Sequence, residues 1–268
     1  MSAITTSIIA IIIYTTATTL QFAVYQGKIP QRPHIALGMG ILAVICHALG
    51  LWPGISTPKG PDLSVYNTIS GISLLISFIV IVFALSKPVH NLKLVIFPAT
   101  VAAIIVAING NGPQLVVSMD QTGVLIHAAL SVVAYAVFCL AAIQAAVLYA
   151  QNRQLKSHLT GRLVKALPPL QTSEAILFEL IWTGFILLTL AIISGSLFIS
   201  DLFAQHLVHK TVLSVVSWVL FLALLIGRKR WGWRGLIAAK ITITGFVILM
   251  LGFLGSKMVL EIILGQPS

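Results

Sequence analysis

The chain is a succession of long apolar runs separated by short polar breaks. Eight runs approach or reach the length of about 20 residues that a membrane-crossing helix needs. They cover residues 4–25, 35–52, 64–85, 92–108, 123–149, 175–199, 210–226 and 236–256. Membrane-spanning β-strands are about 10 residues long and alternate polar with apolar positions. These runs are longer and show no such alternation. The pattern therefore predicts an all-α, polytopic integral membrane bundle of eight helices, with residues 1–268 as a single transmembrane domain.

Composition supports a membrane protein and excludes the soluble and disordered classes. Hydrophobic residues make up 58% of the chain and charged residues 8%, and the mean hydropathy is +1.04. A soluble domain has about 25% charged residues. Lipid gives no hydrophobic drive for helix association, so small residues are expected at close helix contacts. We expect such contacts at Gly71, Ser73, Gly184, Gly195 and Gly245.

The net charge of +10 would suggest nucleic-acid binding in a soluble protein. In a membrane protein the positions of the basic residues instead predict which loops face the cytoplasm, and we expect no nucleic-acid partner. Of the 16 basic residues, most lie in the loops after spans 1, 3, 5 and 7. Those residues are Lys28, Arg32, Lys87, Lys93, Arg153, Lys156, Arg162, Lys165, Arg228, Lys229, Arg230 and Arg234. Because basic loops stay in the cytoplasm, both termini are expected to be extracytoplasmic.

The motifs of common enzyme classes are absent from the sequence. There is no P-loop, GxGxxG, HExxH or GxSxG motif, and no nucleophile–base pair is visible. Cys46 and Cys139 lie in apolar runs at different expected depths, and no CxxCH haem-attachment motif exists. We therefore expect neither a catalytic site, nor a structural disulfide, nor a c-type cytochrome.

Four histidines fall towards the outer side of the predicted topology. His47 precedes the outer end of span 2 by about 7–8 Å, and His127 follows the outer end of span 5 by about 6 Å. His206 and His209 flank the start of span 7. Imidazoles at matching depth could ligate a haem iron or another metal. A single intramembrane histidine can equally hydrogen-bond a neighbouring helix, and no carboxylate or thiolate completes a zinc site.

Several segments carry a resemblance to a known family. The residues His127, Ser131, Tyr135 and Phe138 match the signature helix of the cytochrome c assembly family, which includes haem-handling proteins of the CcsA/ResC and CcmC types. The segment His209–Gly235 resembles the family stretch that ends in Gly-Trp-Arg-Gly. The first two spans and Cys46-His47 are similar to a shorter, eight-span, YpjD-like inner-membrane subgroup.

The resemblance implies a multi-pass protein of the bacterial cytoplasmic (inner) membrane that takes part in cytochrome c-type biogenesis and binds or handles haem near the outer face. It implies His127 as an axial ligand, with His47 or His209 opposite it, and no metal role other than iron ligation. Tyr135 and Trp218 would shape a slot for the macrocycle, although packing and interface anchoring explain them as well. The implied partners are the lipid bilayer and other membrane or extracytoplasmic proteins of cytochrome assembly.

Two departures from the family pattern keep a second function open. The larger members have a tryptophan-rich external loop, whereas residues 201–209 here read DLFAQHLVH. Family histidines near the ends of the last two spans are also missing. The alternative is a non-haem accessory subunit or transporter component that keeps the family fold.

Overall fold

The computed structural model describes residues 2–87, 89–110, 113–156, 168–198 and 208–258. Within these ranges the chain is helical apart from loops and a hairpin of two short strands, as the all-α prediction requires. The chain divides into two compact units, unit 1 (Met1–Ser118) and unit 2 (Met119–Ser268). The single transmembrane domain expected from the sequence stays a prediction.

Unit 1 contains four helices and the hairpin. The helices are α1 (Ala3–Tyr25), α2 (Pro33–Ile55), α3 (Val65–Ser86) and α4 (Lys93–Asn109). Strands β1 (Ser56–Thr57) and β2 (Gly60–Pro61) pair between α2 and α3, and a 3₁₀ turn (His90–Leu92) precedes α4. Helix α1 packs against α2 and α4, and α3 packs against the same two helices.

The described residues of unit 2 also form four long helices. They are α5 (Thr122–Lys156), α6 (Leu170–Phe198), α7 (Val208–Trp231) and α8 (Leu236–Met250). Helix α8 continues as a π-helical turn (Leu251–Gly255) and a last α-helical turn (Ser256–Met258). Helix α5 packs against α6 and α8, and α7 packs against the same two helices.

Each predicted span coincides with a helix. Among the residues that the structure describes, seven helices are long and apolar enough to cross a membrane, while α4, at 17 residues, is shorter. Helix α5 continues to Lys156 and α6 begins at Leu170, beyond the predicted ends at 149 and 175. Backbone hydrogen bonding does not stop where the apolar run stops, so polar residues extend both helices. A count of eight crossings and the outer location of both termini stay predictions.

The expected role of small residues is confirmed in the core of unit 2, where they lie beneath aromatic rings. The rings of Phe138 and Phe221 stack with centroids 3.9 Å apart. A Cβ atom at Gly184 would lie 3.0 Å from Phe138, and one at Gly245 would lie 2.9 Å from Phe221. At Gly71 the nearest atom to such a Cβ is 4.0 Å away, so the expected close contact there is wrong.

Candidate functional site

His127 is held by a hydrogen bond between two helices of unit 2. It lies in the second turn of α5, half-buried, and its Nδ1 is 2.8 Å from the backbone carbonyl oxygen of Ala191 in α6. The hydroxyl oxygen of Ser194 lies 3.4 Å from the same nitrogen. Gly195 makes room for the ring, because a Cβ atom there would be 2.8 Å from the imidazole Cε1. The expected close contact at Gly195 is therefore confirmed, with the imidazole as its neighbour.

This hydrogen bond sets the chemical form of the His127 ring. A carbonyl oxygen can only accept, so Nδ1 must carry the proton and donate it. In the neutral ring the lone pair then lies on Nε2. No described residue hydrogen-bonds to Nε2. Metal-ligating histidines commonly donate their second ring N–H to a carbonyl or carboxylate in this way, so the neutral His127 ring has the form that an iron ligand requires.

His47 has a different environment, in unit 1. The side chain is 1% exposed, and its Nε2 shares a 2.9 Å hydrogen bond with the Ser70 hydroxyl of α3. The ring packs edge-on against Tyr14 of α1, with centroids 6.1 Å apart. Nδ1 is enclosed and has no hydrogen-bond partner among the described residues. These contacts favour the alternative in which His47 is a polar link between helices.

A polar line continues from His47 along α3. The Ser73 hydroxyl donates to the Ser70 carbonyl (2.8 Å), and the Ser73 carbonyl accepts a long bond of 3.5 Å from the Thr100 hydroxyl of α4. Thr100 and Ser77 share a further bond of 2.8 Å. The expected helix contact at Ser73 is therefore confirmed, through hydrogen bonds between α3 and α4.

The other predicted ligands are described only in part. His206 lies outside the described residues, as does the side chain of His209, whose backbone belongs to the first turn of α7. That turn is at the same end of unit 2 as His127, because α6 ends there and α7 begins there. A cavity shared by His47 and His127 stays a prediction. The described residues contain no cluster of three or more metal-ligating side chains.

Tyr135 and Trp218 are both engaged in packing within unit 2. Tyr135 is 4% exposed, and its ring lies 5.4 Å from the rings of Phe246 and Phe253. The indole N–H of Trp218 donates to the Thr189 hydroxyl at 2.9 Å. These contacts favour the packing explanation for both residues, and the slot for a macrocycle stays a prediction.

Asp62 forms a polar centre that the sequence reasoning missed. It is 4% exposed and lies in the connection between α2 and α3. Its Oδ1 accepts the backbone N–H groups of Ser64 (3.0 Å) and Leu115 (2.9 Å), and its Oδ2 accepts the Asn67 amide (3.2 Å). The bridge between Asp62 and Val116 joins the same two loops. The sequence signal was an acid two residues before a serine at a helix start, which is typical of a local side-chain–backbone turn.

Comparisons with known proteins agree on one family. The sequence model of the cytochrome C assembly protein family matches residues 36–264. The inner membrane protein YpjD of Escherichia coli (strain K12) is 30% identical over 233 residues, which cover 85% of this chain and 88% of that protein. The cytochrome c biogenesis protein CcsA of Nostoc punctiforme is 31% identical over 87 residues, covering 32% of this chain and 25% of that protein.

A third relative has no assigned role in its description. It is an uncharacterized 28.8 kDa protein of Azospirillum brasilense, 32% identical over 157 residues, which cover 57% of this chain and 58% of that protein. No solved structure matches the chain with significance. The described part of this chain contains seven long apolar helices, and most of the chain resembles an inner membrane protein. The chain is therefore a multi-pass protein of the inner membrane.

Proposed function

Because the chain belongs to the cytochrome c assembly protein family, we propose that it is a non-enzymatic membrane protein that binds or handles haem near the outer face. His127 would hold the haem iron through Nε2. The family gives the general expectation of haem handling. The geometry of His127 makes the proposal specific to one residue.

The observation that carries the proposal is the bond from His127 Nδ1 to the Ala191 carbonyl. It fixes the tautomer and the ring orientation, and it leaves the second nitrogen as a lone-pair donor. Haem, when bound, would supply an iron that a neutral imidazole can ligate. Gly195 supports the arrangement, since a larger residue would displace the ring.

A second imidazole would come from His209. The start of α7, which carries His209, lies at the same end of unit 2 as His127, because α7 runs antiparallel to α6. His47 lies in unit 1, where one ring nitrogen already bonds to Ser70 and the whole side chain is buried, which favours a structural role. Other membrane or extracytoplasmic proteins of cytochrome assembly would then be the partners that deliver or receive haem.

A non-haem accessory or transporter role is the second candidate. The burial of Tyr135, which is 4% exposed and contacts the rings of Phe246 and Phe253, favours it, because so buried a ring offers little surface to a macrocycle. Under this alternative the bond from His127 to Ala191 serves only to join α5 to α6, as interhelical hydrogen bonds do in membranes.

Absorption spectroscopy of the purified protein separates the two functions. The protein is expressed with haem supplied, purified in detergent, and its Soret absorbance is divided by protein concentration. His127→Ala should remove most of this absorbance, while His34→Ala, a substitution at an exposed histidine, should leave it unchanged. Added imidazole should restore absorbance in His127→Ala, because free imidazole can occupy the vacated ligand position.

Three results would count against the haem proposal. A wild-type protein without a Soret band after haem supply supports the non-haem role. Equal loss of absorbance in His127→Ala and His34→Ala shows general destabilisation. Retention of full absorbance in His127→Ala assigns the iron to other residues.

A further inference from the structure

Positive charge is concentrated where α7 ends and α8 begins. The last turn of α7 contains three basic residues, and two more follow within the next ten positions. All five side chains are exposed, and they are Arg228, Lys229, Arg230, Arg234 and Lys240. Residues 202–260 contain no Asp or Glu, so no acid close in sequence neutralises this charge.

The turn that carries these residues has a defined geometry. Gly232 and Gly235 adopt positive φ angles of 67° and 60°, which favour glycine. The turn folds back on α7, so that the Trp233 N–H donates to the Gly227 carbonyl at 3.2 Å. Trp231 stacks on Trp233 with ring centroids 5.6 Å apart. The charged side chains are therefore attached to a folded turn.

Helix dipoles explain only part of this charge. Cations in the last turn of α7 are favourable because they face the negative end of that helix. Arg234 has the opposite relation to α8, since it precedes Gly235, the N-cap at the positive end of that helix, where the macrodipole disfavours a cation. The Glu174 carboxylate of α6 lies beside this turn, with Oε1 3.5 Å from the Cβ position of Gly235. Even with this carboxylate the turn has a net positive charge, which favours binding of an anion.

Apolar surface adjoins the charged residues. Trp231 is 68% exposed, Ile226 in α7 is 45% exposed and Ile237 in α8 is 51% exposed. Arg228 is held over the ring of Phe178 in α6 at 3.7 Å, which fixes one cation at the edge of this surface. Exposed tryptophan beside basic residues is typical of the level of the lipid headgroups.

We propose that this basic–tryptophan cluster (Arg228, Lys229, Arg230, Trp231, Trp233, Arg234 and Lys240) binds the headgroup phosphate of an anionic phospholipid. Its acyl chains would lie along the exposed apolar residues of α7 and α8. The phosphate adds counter-charge to a cluster of cations beside which the Glu174 carboxylate lies, and guanidinium groups bind phosphate oxygens in a bidentate manner. This lipid site is independent of the proposed haem function.

Native mass spectrometry of the full-length protein tests the site. The protein is titrated with phosphatidylglycerol, cardiolipin or phosphatidylcholine, with and without inorganic phosphate. The site variant is Lys229→Gln/Arg230→Gln/Arg234→Gln. The matched control, Lys28→Gln/Arg32→Gln/Arg153→Gln, also removes three exposed basic residues from the predicted basic loops.

We expect the wild type to bind the two anionic lipids more tightly than phosphatidylcholine. The site variant should lose at least tenfold in anionic-lipid affinity and the control less than twofold, since each basic residue near an anionic surface contributes appreciably to binding. Equal losses of lipid affinity in the two variants would show that overall positive charge, and not this site, binds the lipid, which would overturn the proposal. Equal affinity for phosphatidylcholine, or displacement of the lipid by millimolar inorganic phosphate, would also overturn it.

Discussion

Replacing Gly195 by alanine tests the contact that positions His127. The added Cβ would lie 2.8 Å from the imidazole Cε1 and 3.0 Å from Nδ1, which is closer than van der Waals contact allows. Overpacking of this kind costs about 1–3 kcal/mol, and loss of the bond to Ala191 would cost about 1 kcal/mol more. The higher helix propensity of alanine offsets up to about 1 kcal/mol of this loss in stability. The expected net loss in unfolding free energy is therefore about 2 kcal/mol.

The same reasoning predicts the opposite result without the imidazole. In a His127→Ala background the clash disappears, so Gly195→Ala should be neutral or stabilise by up to about 1 kcal/mol. The double-mutant cycle should then give a coupling of about 2–3 kcal/mol between the two positions. Gly71→Ala is the matched control, since its nearest neighbour would be at 4.0 Å, and it should not destabilise the protein.

Equilibrium unfolding in mixed micelles with a rising fraction of SDS, followed by circular dichroism, measures these free energies. Soret absorbance of haem-supplied Gly195→Ala gives a functional reading, and it should fall because the ring is displaced. If Gly195→Ala destabilises the wild type and the His127→Ala variant equally, the contact between residue 195 and the imidazole is not the cause, and the reasoning is refuted.

Two further predictions concern the polar connections. Asp62→Asn should lower the unfolding free energy by about 2–3 kcal/mol. An amide NH₂ replaces one acceptor oxygen, and the hydrogen bonds from the Ser64 and Leu115 N–H groups lose their charged partner. A change below about 0.5 kcal/mol in the same unfolding assay would contradict this prediction. The orientation is tested with single cysteines in place of the exposed Lys28 and Lys59, in a variant that has both native cysteines replaced. In whole cells a membrane-impermeant maleimide should label the cysteine at position 59 and not the one at position 28. Labelling of position 28 alone would show the opposite orientation.

Hydropathy predicted the helices because burial in lipid requires long apolar segments whatever their neighbours are. The eight apolar runs all became helices, including the short fourth run, now Lys93–Asn109. The ends of α5 and α6 could not be predicted in this way, since polar residues continue these helices past the apolar run. The π-helical turn at Leu251–Gly255 also left no signal in the apolar pattern.

The sequence could indicate His127 as a candidate residue but could not indicate its environment. Position and family resemblance singled out His127, but its partner Ala191 is 64 residues away and contributes only a backbone carbonyl. A backbone acceptor has no residue-type signature, so sequence cannot indicate it. The same limit applies to His47, whose partner is one of many serines, and to Asp62, whose acceptor role depends on a loop more than 50 residues later.

The carbonyl of Ala191 also has a consequence for the motion of α6. It accepts from His127 Nδ1 and from the Ser194 hydroxyl, the latter at 2.9 Å, and the regular helix pattern makes it the acceptor of the Gly195 amide as well. A carbonyl oxygen has two lone pairs for these three donors. The Gly195 amide is therefore the weakly held member of its turn, and its hydrogen should exchange with solvent deuterium faster than those of the preceding turns. We therefore expect the last turn of α6 to bend at this point, beneath the imidazole.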